Sequence, residues 1–292
     1  MLTVIGAVNI DIVATAKADY RLQDSNPASV NVSVGGVAMN YARNLRVLGE
    51  QVRFITLFAD DALGAMAKNE CEQWQLDLSL SATVPHSRAN IFVGINNHEG
   101  DLEAAACDVE TLETHLTREF LAERIDEINR SELVLLDTNL TADAIAYLLD
   151  HCTAPIMMDS VSTAKTQRLV DSLRLAQTPH LHTLKVNEKE FAIIEQAQLP
   201  ITHIAQHLYI TLGADGVRYK SNNIDTHFPA LKAEQIVSTL GAGDAFLSGL
   251  AYAYIHHIPY PNYIAFSQRA SLATMAVEGT INPQLKDILL PL

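Results

Sequence analysis

Short, wholly apolar runs alternate with stretches of helical period along most of the chain. Leu2 to Val8, Val52 to Phe58, Leu133 to Asp137, Ile156 to Asp159, Thr183 to Val186 and Leu208 to Leu212 read as buried strands. Unbroken apolarity, rather than alternation, is what a parallel strand covered on both faces requires. Helical period fills the intervals. From Gly36 to Leu48 the residues Val37, Tyr41, Leu45 and Leu48 share one face, and Gly49 is a natural stop. Leu63 to Trp74 and Ala245 to His257 follow the same period. The alternation predicts βαβ units and an α/β fold, a mostly parallel sheet with helices on both faces.

Ile12 to Val34 and Pro85 to Cys107 break this rhythm. Val30 to Val34 and Ala89 to Ile95 read as short strands, with Asn97-His98-Glu99-Gly100 as a hairpin tip. Both segments are expected to form one small sheet projecting from the main body, a flap that covers a substrate or pairs with another subunit. No repeat or linker divides the chain, so residues 1–292 are expected to be one unit with the flap inserted in it.

At 292 residues and 48% hydrophobic, with mean hydropathy of +0.09, the chain can bury a large core. Its 20 basic and 34 acidic residues give a net charge of −14, which argues against nucleic-acid binding. No uncharged apolar run has the length of a membrane span, and Met1 to Gly6 lacks the basic start of a signal peptide. Cys71, Cys107 and Cys152 have no metal or disulfide spacing and read as buried free thiols in a reducing cytoplasm. His180, His182, His256 and His257 lack partners at ligand spacing and read as surface or capping groups.

Chemistry-bearing residues gather at predicted strand ends, where open parallel sheets bind ligands. Asn9 and Asp11 follow the first strand; Asp137, Asn139, Asp159, Ser160, Asn187, Thr211 and Gly213 end later ones. Asn9 and Asp11 suit vicinal hydroxyls, with Gly35-Gly36 allowing close backbone approach and Asn40 a helical turn beyond. Asn187 and Glu190, three apart, fit either a helix capping box or a hydrated Mg2+ ion. Thr211 to Gly216 reads as a plain β-turn or as a glycine platform for a nucleotide.

The most pointed signal is Ser238-Thr239-Leu240-Gly241-Ala242-Gly243-Asp244, which opens a helix. A glycine turn into a helix N-terminus binds anions through free N–H groups and the macrodipole. Asp244 has the wrong charge to hold phosphate and the right chemistry for a general base. Anion cradle and base together are the apparatus for phosphoryl transfer to an alcohol. A dinucleotide dehydrogenase is disfavoured, because Gly6-Ala7-Val8-Asn9 lacks the further glycines of that fingerprint.

In order and spacing these residues resemble the ribokinase-like (PfkB-type) carbohydrate kinases over nearly the whole chain. Gly35-Gly36-Val37-Ala38-Met39-Asn40 with Leu48-Gly49 looks like one family signature, Thr239 to Asp244 like the other, and Asn187 to Glu190 like the Asn-x-x-Glu motif. Asp159 to Lys165, His182 to Glu190, Asp137 to Leu140 and Thr280 to Pro283 are similar to the branch acting on pseudouridine, although Ser160 and Val186 stand where that branch favours proline. The resemblance implies a ribokinase-like three-layer sandwich with a β-sheet lid, ATP and Mg2+ as cofactors, and phosphorylation of a 5′-hydroxyl on a nucleoside, pseudouridine first, with ribose, adenosine or another nucleoside as alternatives. A non-catalytic sensor of sugar or nucleoside is the alternative of another class.

By the same resemblance Asp244 is the base, and Gly241, Ala242 and Gly243 stabilise the transferring phosphoryl. Asn9, Asp11, Gly35, Gly36, Asn40 and Asn139 hold the ribosyl group. Lys185, Asn187, Thr211, Gly213, Gly216, Thr239 and Asn282 serve ATP, and Glu190 holds Mg2+ through water. Arg88, Asn90, Asn96 and Asp108 are the candidates for reading the base. A homodimer through the lid is implied. Potassium is a further cofactor of the family, but Ser238 stands where many members have an Asp near the monovalent-cation site.

Overall fold

The computed structural model describes residues 1–21 and 23–290. In chain order its first elements are β1 (Leu2–Ile5), β2 (Asn9–Ala16), β3 (Ala28–Gly35), α1 (Val37–Leu48), β4 (Val52–Ile55), β5 (Leu57–Ala59), α2 (Ala62–Gln73), β6 (Ala82–Val84), β7 (Ile91–Asn96) and β8 (Leu102–Asp108). Three short helices follow, α3 (Glu110–His115), α4 (Arg118–Ala122) and α5 (Ile125–Ile128). The strictly alternating part comprises β9 (Leu133–Asp137), α6 (Ala142–His151), β10 (Ile156–Asp159), α7 (Thr163–Leu175), β11 (Leu181–Asn187), α8 (Glu188–Gln196), α9 (Ile201–Ile204) and β12 (Ala205–Thr211). A hairpin, β13 (Val217–Ser221) and β14 (Ile224–Phe228), leads to α10 (Ala242–Ile255), α11 (Asn262–Met275) and α12 (Leu285–Leu289).

The main sheet has the order β14-β13-β12-β11-β10-β9-β1-β4, parallel from β4 to β12 and antiparallel at β13 and β14. Successive residues of a strand feed opposite faces. Val134, Leu136, Leu184 and Val186 pack with α6, α7 and α8, while Val4, Leu133, Leu135 and Met157 pack with α1 and α10. This is the expected three-layer α/β sandwich, and it explains the unbroken apolar runs.

The second sheet, ordered β3-β2-β7-β8, is the lid. Its turn lies at Asn97 to Gly100, where Asn97 N–H donates to Asp101 C=O at 2.9 Å. The first apolar run is broken: β1 ends at Ile5 and the chain re-enters a strand at Asn9, in the other sheet. Val52 to Phe58 divides too, into β4 of the main sheet and β5, which pairs with β6. Apolarity alone marks neither break, since both halves of each run are buried. Cys71 and Cys152 are buried, but Cys107 is exposed on the lid, because β8 is an edge strand exposed along its whole length. No helix among the described residues is long and apolar enough to cross a membrane.

Candidate active site

Parallel register gathers the polar residues at the carboxyl edge of the main sheet. Asp137 stands beside Asp159, Asp159 beside Lys185, and Asn187 beside Thr211. Each belongs to the last residues of its strand, so one row of functional groups crosses β9 to β12. Lys185 Nζ donates to Asp159 Oδ2 at 2.6 Å, and both side chains are buried. Burial works against the ammonium, yet Asp159, Asp244 and Glu190 outweigh it and hold its pKa above the usual lysine value. Burial pushes the Asp137 carboxyl up despite bonds from Asn139 N–H (2.8 Å), Asn139 Nδ2 (2.9 Å) and Ala38 N–H (3.2 Å).

The helix α10 enters this row from above. Gly241, its N-cap, has φ of 75°, a left-handed conformation that a side chain resists, and a Cβ there would lie 2.6 Å from Thr280 C=O. Gly243 is fixed by proximity instead: its missing Cβ would stand 2.6 Å from Lys185 Nζ. Asp244 follows in the first turn, where a carboxylate suits the dipole. Its Oδ2 accepts from Asn40 Nδ2 at 2.7 Å, and Asn40 Oδ1 accepts from Thr280 Oγ1 at 2.9 Å. Burial raises the Asp244 pKa to about 7; the Asn40 donor and Lys185 pull it down, and Asp159 and Asp137 push it up.

On one side of this helix start lies a cavity of about 610 Å³, lined by Thr211, Gly213, Gly216, Thr239, Ala242 and Gly243 and walled by Val217, Leu231, Ile236, Phe246, Leu272 and Met275. Its size and apolar walls suit a nucleotide, with the α10 N–H groups at its inner end. Asn282 is not on that wall: its Nδ2 donates to Ala273 C=O at 2.6 Å and its Oδ1 accepts from Gln284 N–H at 2.9 Å. Asn187 and Glu190 form a complete capping box, 2.8 and 2.9 Å. Glu190 Oε2 also accepts from Ser160 Oγ at 2.7 Å. Both bonds fall on Oε2, which leaves Oε1 for an ion. Among the described residues no group of three or more His, Cys, Asp or Glu assembles a metal cage. One carboxylate with phosphate oxygens and water is the usual holding of Mg2+, so the residues fit that ion.

On the other side Asn9, Asp11, Gly35 and Gly36 meet where the lid joins the body, Asn9 opposite Gly35 in the β2–β3 ladder. A Cβ on Gly35 would fall 1.9 Å from Asp11 Oδ2, so the glycine makes room for that carboxylate. Burial raises Asp11 to about 6, opposed by Arg43. Asn9 Oδ1 is buried without a hydrogen-bond partner. Asn139 bonds Asp137 and receives Lys165 Nζ. Of the base-reading candidates, Asn90 is buried with an unpartnered Oδ1, whereas Arg88 and Asp108 are exposed and Asn96 half-buried.

Sequence reading missed Tyr41 as anything but a core residue. It is fully buried, its hydroxyl has no partner, and burial together with Asp159, Asp244 and Asp137 lifts its pKa well above the usual value. Its helical spacing with Val37 and Leu45 concealed it. The Lys185–Asp159 pair was also missed, although opposite charges closing two strands that follow one another are a usable signal. His182 is not a surface group: it is half-buried against His207 and Tyr254.

A family model, pfkB family carbohydrate kinase, matches residues 1–287. The chain therefore belongs to the PfkB family and is a carbohydrate or nucleoside kinase. It is 27% identical to pseudouridine kinase of Escherichia coli K12, over 97% of this chain and 93% of that protein. It is 23% identical to ribokinase of Bacillus subtilis, over 95% and 94%. In fold it is similar to Arabidopsis thaliana ribokinase complexed with ribose and ATP (TM-score 0.80, 16% identity, 100% and 98% covered) and to Burkholderia thailandensis nucleoside kinase in complex with inosine (0.78, 18%, 99% and 94%).

Gly243→Ala is expected to fold but to push Lys185 off Asp159, because the new methyl takes the ammonium's place. Turnover should drop at least tenfold, read by ADP release, with the displaced lysine visible in a crystal structure; an unmoved ion pair with full activity contradicts the account.

Proposed function

We propose that the chain transfers the γ-phosphoryl of ATP to the 5′-hydroxyl of a ribosyl nucleoside, pseudouridine first. The observation that carries this reading is the position of Asp244, whose neighbour Gly243 lines the nucleotide cavity while its own carboxylate meets Asn40 on the acceptor side. Asp244 takes the hydroxyl proton as the oxygen attacks the γ-phosphorus in line, and the bond to the ADP oxygen breaks. Amides of Gly241, Ala242 and Gly243 stabilise charge on the transferring group. Lys185, beside Gly243, adds positive charge near the same position. Glu190, through its free Oε1, would hold hydrated Mg2+, which would supply positive charge against the phosphates. Asn9 and Asp11 bind the ribose hydroxyls, with Gly35, Gly36 and Asn40 shaping that pocket and Asn139 positioned through Asp137.

Substrate choice rests on the 27% identical pseudouridine kinase, similar over 97% of the chain, and on the buried acceptor Asn90 Oδ1. A C-linked uracil differs from uridine by one additional ring N–H, which needs an acceptor of this kind. Dependence on ATP and the unpaired thiols suit a cytoplasmic enzyme. Ser238 offers a hydroxyl, engaged by Leu240 N–H at 3.1 Å, in place of a carboxylate; turnover should gain little from K+. The lid face bearing Val30, Val32, Val93 and Ile95 is exposed and apolar, which suits a second copy of the chain.

Asp244→Asn should lower kcat about a thousandfold while ATP affinity, measured by calorimetry, holds. The acid limb of kcat/KM should fall near pH 7, activity being lost as pH drops and the base protonates. Asn40→Ala removes a donor to the carboxylate, so the limb should move to higher pH; a limb unmoved or lower assigns it to another group. Among ribose, adenosine, uridine, cytidine and pseudouridine, the last should give the largest kcat/KM by ADP release, and a clear preference for ribose or adenosine replaces it as substrate. Val32→Lys with Ile95→Glu should convert a dimer to monomer by light scattering; a wild-type monomer removes the lid contact.

A further inference from the structure

A second cavity, of about 580 Å³, opens at the opposite end of the main sheet, between β10–β14 and the C-terminal half of α10. Its wall is built of rings, three of histidine (His182, His207 and His257) and five of tyrosine, with aliphatic Leu250, Ala253, Ile224 and Ile258 between them. The rings already touch one another. His182 stands 4.9 Å from His207 and 4.5 Å from Tyr254, and Tyr219 lies 5.1 Å from Tyr209 and 5.5 Å from Tyr260, centroid to centroid. His182 is the second residue of β11 and Asn187 the last, so the active site is roughly 16 Å away along that strand.

The lining contains no Asp, Glu, Lys or Arg. Of the three histidines, His257 stands exposed at the rim. Burial, then the neighbouring His207, lowers His182 to about 4, and burial lowers His207, so these two imidazoles favour the neutral form. Each uses one nitrogen within the wall, His182 Nδ1 with Thr183 Oγ1 at 2.9 Å and His207 Nδ1 with Tyr219 Oη at 2.7 Å. Their Nε2 atoms remain, one acceptor or donor apiece according to tautomer. A phosphate or carboxylate set against these rings meets no lysine or arginine to offset the water it gives up. A flat uncharged ring is instead offered faces to stack on and neutral nitrogens to bond. The volume, close to that of the nucleotide cavity, admits one or two fused rings with room to spare, so chemistry of the lining rather than size selects the ligand.

We propose that this cavity is a second binding site, for a neutral planar heteroaromatic molecule of nucleobase size. The assignment is independent of the kinase reading, and its failure leaves that reading untouched. Tyr254, at the cavity, and Asp244, near the start of the helix, belong to the same element α10.

The test is saturation-transfer NMR and calorimetry on the full chain with adenine and uracil, and with AMP as the charged counterpart. The active site is first filled with Mg2+ and a non-hydrolysable ATP analogue. Adenine or uracil should bind under these conditions and AMP should not. Ile224→Trp, a partly exposed strand position on the rim, should weaken the base at least tenfold by filling the cavity, and Tyr254→Ala should do so by removing a stacking face. Both variants should keep wild-type kcat without base present. Absence of binding by either base, or binding that both variants leave intact, overturns the site.

Discussion

The buried pair between Lys185 and Asp159 is the constraint around which the catalytic end is organised. Two charges out of water are tolerated only when each satisfies the other. Here the ammonium serves Asp159 directly and Asp244 and Glu190 through the field. Parallel register sets the pair, since β10 and β11 lie side by side with Asp159 opposite Lys185. Removing the lysine would leave buried carboxylates on β9, β10 and α10 facing one another without compensation.

That constraint reaches into the helix start. Lys185 Nζ occupies the volume where a side chain on residue 243 would begin, so the backbone of α10 descends onto the sheet edge only as glycine. The same descent brings Asp244 into range of Asn40 on α1 and leaves it desolvated. A carboxyl poised near neutrality follows from these positions: burial disfavours its charge, an amide donor and an ammonium restore part of it. Stability works against this arrangement. A carboxyl whose pKa is raised on folding makes the fold less stable as pH climbs from its unfolded value of 3.8 through about 7. The base role proposed for Asp244 accounts for its being kept at this cost.

Much of the sandwich was legible because both its faces are apolar, which writes each central strand as a continuous run. Strand breaks at Gly6 and Thr56 were illegible for the same reason: a change of sheet between buried segments leaves no polar mark. The Ser238 to Asp244 turn was legible because glycine spacing, helix entry and an acidic residue coincide within a few positions. Tyr41 and the pairing of Lys185 with Asp159 were not, since a buried tyrosine on an apolar helix face and the partner of a lysine within an apolar strand are defined by what lies across from them. Cys107 was misjudged as buried because edge exposure belongs to sheet order, and sheet order is not written in β8 itself. Asn282, which only the family resemblance set near the nucleotide, bonds Ala273 C=O and Gln284 N–H with the two ends of its amide.

In the function proposed above, chemistry and selectivity fall to different parts of the molecule. The groups of the sheet edge are buried, register-locked and tied to one another, so a change in any of them propagates through the ion pair. The outer lid strands β3 and β8 are largely exposed and the inner β2 and β7 half-buried, and the row Asp11, Phe92, Cys107 crosses β2, β7 and β8 in register. Substitutions there alter what stands over the acceptor pocket without disturbing Lys185 or Asp244. A fold divided in this way can keep one phosphoryl-transfer apparatus while its acceptor changes, which is the pattern expected of chains 23–27% identical whose names divide between ribose and nucleoside substrates.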